Sequence, residues 1–145
     1  MRIYLDMCSL QRPLDSKTQT RIAVEAEAIL NFIDMLESGQ VELVSSQALI
    51  FEIEQITLPV RKTYIMEVLS KAGLFIPISQ SIEEQARIFV DLGIKPLDSL
   101  HLASSIEAKS DYFCTCDDRF LRRAKKANTA FTKVVSPLEM IMEIG

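Results

Sequence analysis

No run of apolar residues approaches the ~20 that a membrane span requires, and the first ten residues, "MRIYLDMCSL", carry an acid where a secretory segment would be purely apolar. A soluble protein of the cytoplasm is expected, with no membrane partner. Cysteine is scarce and odd in number. Cys114-Thr-Cys116 falls in a segment that reads as a strand rather than a metal knuckle, so Cys8, Cys114 and Cys116 are expected to be buried thiols rather than zinc ligands. An excess of positive charge is also missing. The formal net charge of −4 argues against a protein that coats nucleic acid by general phosphate neutralisation, but it leaves room for a local basic patch. Repeats, linkers and low-complexity tracts are absent, and 145 residues with 48% apolar content are expected to form a single domain, residues 1–145.

Short apolar runs alternate with longer helical patterns throughout, the signature of parallel strands joined by crossover helices. The expected fold is therefore α/β, a mostly parallel sheet of about five short strands with helices on both faces. Strands are expected at "RIYL" (2–5), "VELV" (41–44), "LFIPI" (74–78), "YFCT" (112–115) and "KVV" (133–135). Helices are expected near 17–37, 47–56, 59–72, 81–91, 97–109, 118–127 and 137–143. Two starts are marked: Ser81-Ile82-Glu83-Glu84 reads as a capping box, and Ser136-Pro137-Leu138-Glu139 adds proline at the first helical position.

In an open α/β sheet, ligands bind beyond the carboxyl ends of the strands, so acids placed there carry most interest. Asp6 follows "RIYL" and Asp117 follows "YFCT" after one cysteine. Either could instead serve a turn or cap the next helix. Asp98, in "KPLDSLHLAS", stands in the first turn of a helix that is apolar or small on nearly every side, where a carboxylate is costly without a partner such as a cation. Glu52 lies about 60° from the stripe of Leu49, Ile53 and Ile56, whereas Glu54 points away from it. Alone, Glu52 could as well reach to water from the edge of that stripe. Gathered at one end of a sheet, the four would repel one another and persist only if cations neutralise them. An all-oxygen set selects Mg²⁺ or Mn²⁺ over zinc, and the chemistry natural to such ions is phosphodiester hydrolysis.

The order of these elements resembles the PIN-domain family, metal-dependent ribonucleases that include VapC-type toxins of toxin-antitoxin modules. The likeness rests on "IYLD", on Ser-x-x-Leu-x-x-Glu from Ser46 to Glu52, on "LDSLHLAS", on "DYFCTCDDRF" with its Thr-x-Asp and following phenylalanine, and on "VVSPLEMI". The resemblance implies a three-layer α/β/α fold and an Mg²⁺ or Mn²⁺ site formed by Asp6, Glu52, Asp98 and Asp117. It also implies cleavage of RNA to leave a 3′-hydroxyl and a 5′-phosphate, and a small antitoxin protein as partner. Two departures stand out. Many members place Asn, Ser or Thr just after the first acid, where this chain has Met7-Cys8-Ser9, so Ser9 is the candidate replacement. Some carry a further acid where this chain has Arg119, so Asp118 is the candidate to compensate, although a helix start would also account for it.

His101, the single histidine, lies one helical turn from Asp98 but is turned ~60° away on the helix, so a satisfied structural histidine is expected rather than a general base. The acid-free run "RFLRRAKKANTAFTK" offers Arg119, Arg122, Arg123 and Lys126 to phosphates flanking a scissile bond, or else forms a solvated face. Apolar residues beyond one stripe in "ILNFIDML" and "KTYIMEVL" suggest a homodimer paired through helices. The leading functional expectation is an Mg²⁺- or Mn²⁺-dependent endoribonuclease acting as a toxin. The alternative is a catalytically degenerate PIN domain that binds RNA or protein. A receiver-like acidic pocket is disfavoured, because no lysine is placed to serve it.

Overall fold

The computed structural model of the protein describes residues 1–145. Five short strands form one parallel sheet: β1 (Arg2–Leu5), β2 (Glu42–Ser46), β3 (Leu74–Ile76), β4 (Tyr112–Cys114) and β5 (Lys133–Val135). Their order across the sheet is β3-β2-β1-β4-β5. The middle strand, β1, buries Ile3, Tyr4 and Leu5 completely and pairs Tyr4 with Phe113 and Leu5 with Cys114. A parallel strand covered on both faces has no solvent side, which is why "RIYL" shows no polar alternation after its first residue.

The helices are α1 (Met7–Gln11), α2 (Thr20–Glu37), α3 (Gln47–Glu54), α4 (Pro59–Leu69), α5 (Gln80–Asp91), α6 (Pro96–Glu107), α7 (Asp118–Lys126) and α8 (Pro137–Ile144), with a 3₁₀ turn over Arg12–Leu14. α2 packs on α8 and α1 on α4, while α5 packs on α6. Crossover helices cover both faces of the parallel sheet, giving the expected three-layer α/β/α architecture. Under the carboxyl ends of the strands, Tyr4 stacks on Phe113 at 5.3 Å, and Phe113 meets the edge of Phe120 at 5.4 Å. Aromatic pairs in this geometry contribute beyond their burial.

Several sequence expectations are corrected in detail. α1 was not expected, because five residues are too few to show a helical period. It forms because Asp6 caps it, accepting a hydrogen bond from the Ser9 backbone. The helix expected from residue 17 begins at Thr20, since Lys17 turns back to donate to the Pro13 carbonyl. Ser81 is not a cap. Ser79 is the N-cap of α5, accepting from the Ile82 N–H, and this earlier start places Ile82, Ala86 and Phe89 in the core. Ser81 donates instead to Glu107. The capping box of Ser136 and Glu139 forms as expected. β4 stops at Cys114, so Thr115 and Cys116 lie beyond the strand rather than in it. Past α5, Gly93 takes φ +95°, a left-handed conformation suited to glycine, and its carbonyl accepts from Arg123 Nη1 at 2.5 Å.

Candidate functional site

From β1 the chain builds outward through β2 and β3 on one side, then returns to place β4 on the other side of β1. The strand order therefore reverses between β1 and β4, and the crevice beyond their carboxyl ends is where open α/β sheets take ligands. A cavity of about 350 Å³ lies there, lined by Asp6, Met7, Cys8, Arg12, Glu52, Asp98, His101, Cys116 and Asp117. All four expected acids line it. They arrive from four places: the end of β1, α3, the first turn of α6, and the turn after β4.

Each acid is held differently. Asp6 is buried and caps α1 through the Ser9 N–H at 3.1 Å. The expected replacement at Ser9 is thus a backbone one, since the Ser9 hydroxyl donates to the Cys114 carbonyl at 3.2 Å. Among the side chains near Asp6, the Cys8 thiol lies 3.1 and 3.3 Å from its two oxygens. Burial raises the Asp6 carboxyl above its ordinary range, and hydrogen bonds from Thr115, Cys8 and Ser9 oppose that rise. Asp117 is exposed and caps α7 by accepting from the N–H groups of Arg119 and Phe120. The capping role weighed for Asp117 therefore coexists with its place on the cavity wall. Asp98, half-buried at the start of α6, is pushed up to about 6, first by burial, then by Asp6, with further contributions from Asp117 and Glu52 against an opposing one from His101.

Glu52 faces the cavity and Glu54 is exposed, as the helical geometry predicted. Glu52 Oε1 lies 2.6 Å from His101 Nε2, and His101 Nδ1 lies 2.6 Å from the Tyr4 hydroxyl. His101 is thus the satisfied, buried histidine that was expected, but it is also part of the cavity wall. Asp118 does not line the cavity. It is held by Arg21 of α2 through two contacts of 2.5 and 2.7 Å, which lower its carboxyl and tie α2 to α7.

Sequence reasoning passed over Cys8, Tyr4 and Arg12. Arg12 is the one lysine or arginine on the cavity wall, and Asp15 at 3.0 Å and buried Glu25 at 3.1 Å balance its charge. Nothing in the local sequence marks it, because Glu25 reaches it from α2. Of the basic run, Arg119, Arg122, Arg123 and Lys126 are exposed on α7, which Asp117 caps, while Lys125 pairs with Glu139.

The family model described as PIN domain matches residues 20–126, a stretch that contains Glu52, Asp98 and Asp117. The chain belongs to the PIN-domain family. VapBC2 from Rickettsia felis, solved bound to a DNA fragment from their promoter, shares the fold of this PIN domain at 12% identity, with a TM-score of 0.62 over 94% of this chain and 98% of that one. PAE2754 from Pyrobaculum aerophilum is similar at 11% identity, with a TM-score of 0.55 over 99% and 89% of the two chains. Both likenesses are of fold. No curated protein matches the chain. Asp6 precedes the matched residues, so its place in the PIN-domain cavity rests on the β1–β4 crevice.

The carboxylates suit a hard divalent cation. No three His, Cys, Asp or Glu side chains converge closely enough to ligate one ion as they stand. Mg²⁺ does not need three, since it keeps several waters and takes one or two carboxylates. Burial first, and then the neighbouring carboxylates of Asp6, Asp117 and Glu52, raise the Asp98 carboxyl against the opposing His101.

Proposed function

We propose that this PIN domain is an Mg²⁺- or Mn²⁺-dependent endoribonuclease, with Asp6, Glu52, Asp98 and Asp117 as its acidic site. The observation that carries the reading is the meeting of these acids in one cavity at the point where the strand order reverses, with Asp98 driven up by burial and by its fellow carboxylates. Nucleases of the PIN family usually use divalent metal ions. A bound divalent ion supplies positive charge that polarises the phosphodiester and makes water a better nucleophile at neutral pH. The chain's own residues do the placing: the Ser9 N–H and the Cys8 thiol hold Asp6, and Asp117 is held as the cap of α7. Arg119, Arg122, Arg123 and Lys126 on α7 would take the RNA phosphates on either side of the cut.

The biological role we infer is that of a toxin restrained by a small antitoxin protein, working as a homodimer in the cytoplasm. It is supported by the fold shared with VapBC2 from Rickettsia felis. A second reading, a degenerate PIN domain that binds RNA or a protein without cutting, draws on the Cys8 thiol seated against both Asp6 oxygens. Incubation of RNA with the protein and Mn²⁺ separates the two. The nuclease reading expects cleavage to 5′-phosphate ends that chelator and Asp98→Asn each abolish. RNA retained on the protein but uncut under all these conditions supports the binding module.

A further inference from the structure

We propose that His101 is a positioning residue that aims Glu52 into the cavity, as the last link of a buried chain running Ser46, Tyr4, His101, Glu52. The inference rests on the reading of the cavity as a metal-dependent nuclease site and adds a role that neither the family match nor the fold neighbours assign. Three consecutive contacts build the chain, each 2.6 Å long: Ser46 Oγ to Tyr4 Oη, Tyr4 Oη to His101 Nδ1, and His101 Nε2 to Glu52 Oε1. Tyr4 and Ser46 are wholly buried and His101 is 1% exposed, so water cannot replace these partners.

The direction of the chain follows from its last member. The Glu52 carboxylate can only accept, so the ring proton of the neutral imidazole lies on Nε2 and Nδ1 accepts the Tyr4 proton. The Tyr4 oxygen is left to accept from Ser46, whose Oγ also accepts the Leu49 N–H at 3.0 Å as the cap of α3. The opposite order would leave a bare Nε2 facing a carboxylate, two acceptors at hydrogen-bonding distance with no proton between them. Burial holds the Tyr4 phenol well above its ordinary value, which keeps it a donor.

The chain also joins the elements that carry the acids. Tyr4 lies on β1 two residues before Asp6, His101 lies on α6 three residues after Asp98, and Ser46 and Glu52 stand at the two ends of α3. Any buried histidine needs partners for both nitrogens; what marks this one is that its outer partner, Glu52, is a carboxylate on the cavity wall. A hydrogen-bonded support behind a metal-binding carboxylate fixes its orientation, and losing such a support typically costs about 10–100-fold in metal affinity.

Because His101 is the only histidine, its ring can be read without ambiguity by long-range ¹H–¹⁵N NMR on the metal-free full chain. The expected spectrum places the proton on Nε2 and none on Nδ1, and Tyr4→Phe replaces that single form with a mixture. In Mn²⁺ titration calorimetry, His101→Gln, which keeps an amide donor for Glu52, should bind within about threefold of the natural protein, while His101→Ala should bind about 10–100-fold more weakly. A proton on Nδ1, or an alanine variant with undiminished Mn²⁺ affinity and only a lowered melting temperature, overturns the proposal. If His101→Ala does not fold, Tyr4→Phe decides: weakened Mn²⁺ binding upholds the chain, and unchanged binding overturns it. Should the natural protein itself take up no Mn²⁺, the nuclease reading falls, and the ring spectra alone decide whether His101 orients Glu52.

Discussion

Asp98 concentrates the electrostatics of the site in one side chain. Its carboxyl titrates near 6 in the folded protein, above the ordinary value it recovers on unfolding. The folded state therefore holds the proton more tightly. This favours the fold below about pH 4, and the advantage is lost as pH rises through about 6. Full burial would make such a displacement worth roughly 3 kcal/mol, and the partial exposure of Asp98 screens it to on the order of 1 kcal/mol. In chelator, Asp98→Asn should flatten the melting temperature of the protein between pH 4 and 7 and leave it as stable or slightly more stable at pH 7. The same variant should lose cleavage and bind Mn²⁺ weakly. A purely structural aspartate gives the reverse pattern: a lower melting temperature with metal binding intact. Asp98 was legible in the sequence because the helix dipole favours an acid in the first turn but does not offset the cost of burying it in an otherwise apolar helix start. Cys8 was not, since its role depends on α1 folding its thiol back onto Asp6, two residues earlier.

At the scale of the element, α3 is the short helix that carries Glu52, and it depends on its cap. Ser46→Ala removes both the Leu49 cap and the Tyr4 contact, with an expected cost of about 1–2 kcal/mol, or roughly 2–8 °C in melting temperature. A calorimetric scan showing a change under 1 °C would count against that account. α7 has the opposite character, with charged residues exposed along most of its length. Arg122→Glu with Arg123→Glu should weaken RNA binding and shallow its salt dependence while Mn²⁺ affinity stays nearly level; an unaltered salt slope would mark α7 as a solvated face. Arg123→Glu also forfeits the bond to the Gly93 carbonyl, so Arg122→Glu alone is the cleaner measurement. Strands and long helices were readable because buried parallel strands are continuous apolar runs and helices repeat every 3.6 residues. The start of α5 was misplaced because Ser79 and Ser81 are both suitable residues, and only the packing of Ile82 and Phe89 chooses between them.

For the whole molecule, a ligand that binds only the folded state raises its stability by mass action, by about 2.7 kcal/mol at a hundred times the dissociation constant. Mn²⁺ should therefore raise the melting temperature at pH 7.5, much less at pH 5 where Asp98 holds its proton, and hardly at all in Asp98→Asn. Equal shifts in all three would place the ion elsewhere. The exposed apolar side chains Phe51, Leu58, Val60, Met66 and Phe75 on α3, α4, β3 and the α3–α4 connection suit a second copy of the chain. Light scattering should find a dimer that Val60→Asp weakens without lowering the melting temperature, and a monomer at all concentrations would remove the homodimer from the reading.

The central position of β1 also bears on when the acidic cavity can assemble. Arg2 bonds Asp111 across 109 residues of sequence, and Asp6 meets Asp117 only when β1 and β4 lie side by side. Such distant pairing forms late, because the closure of long loops must precede its reward. A chain that has left the ribosome only as far as the end of α6 carries Asp6, Glu52 and Asp98 but neither β4 nor Asp117. The acidic quartet is thus a property of the assembled sheet, complete only once β4 has been added beside β1.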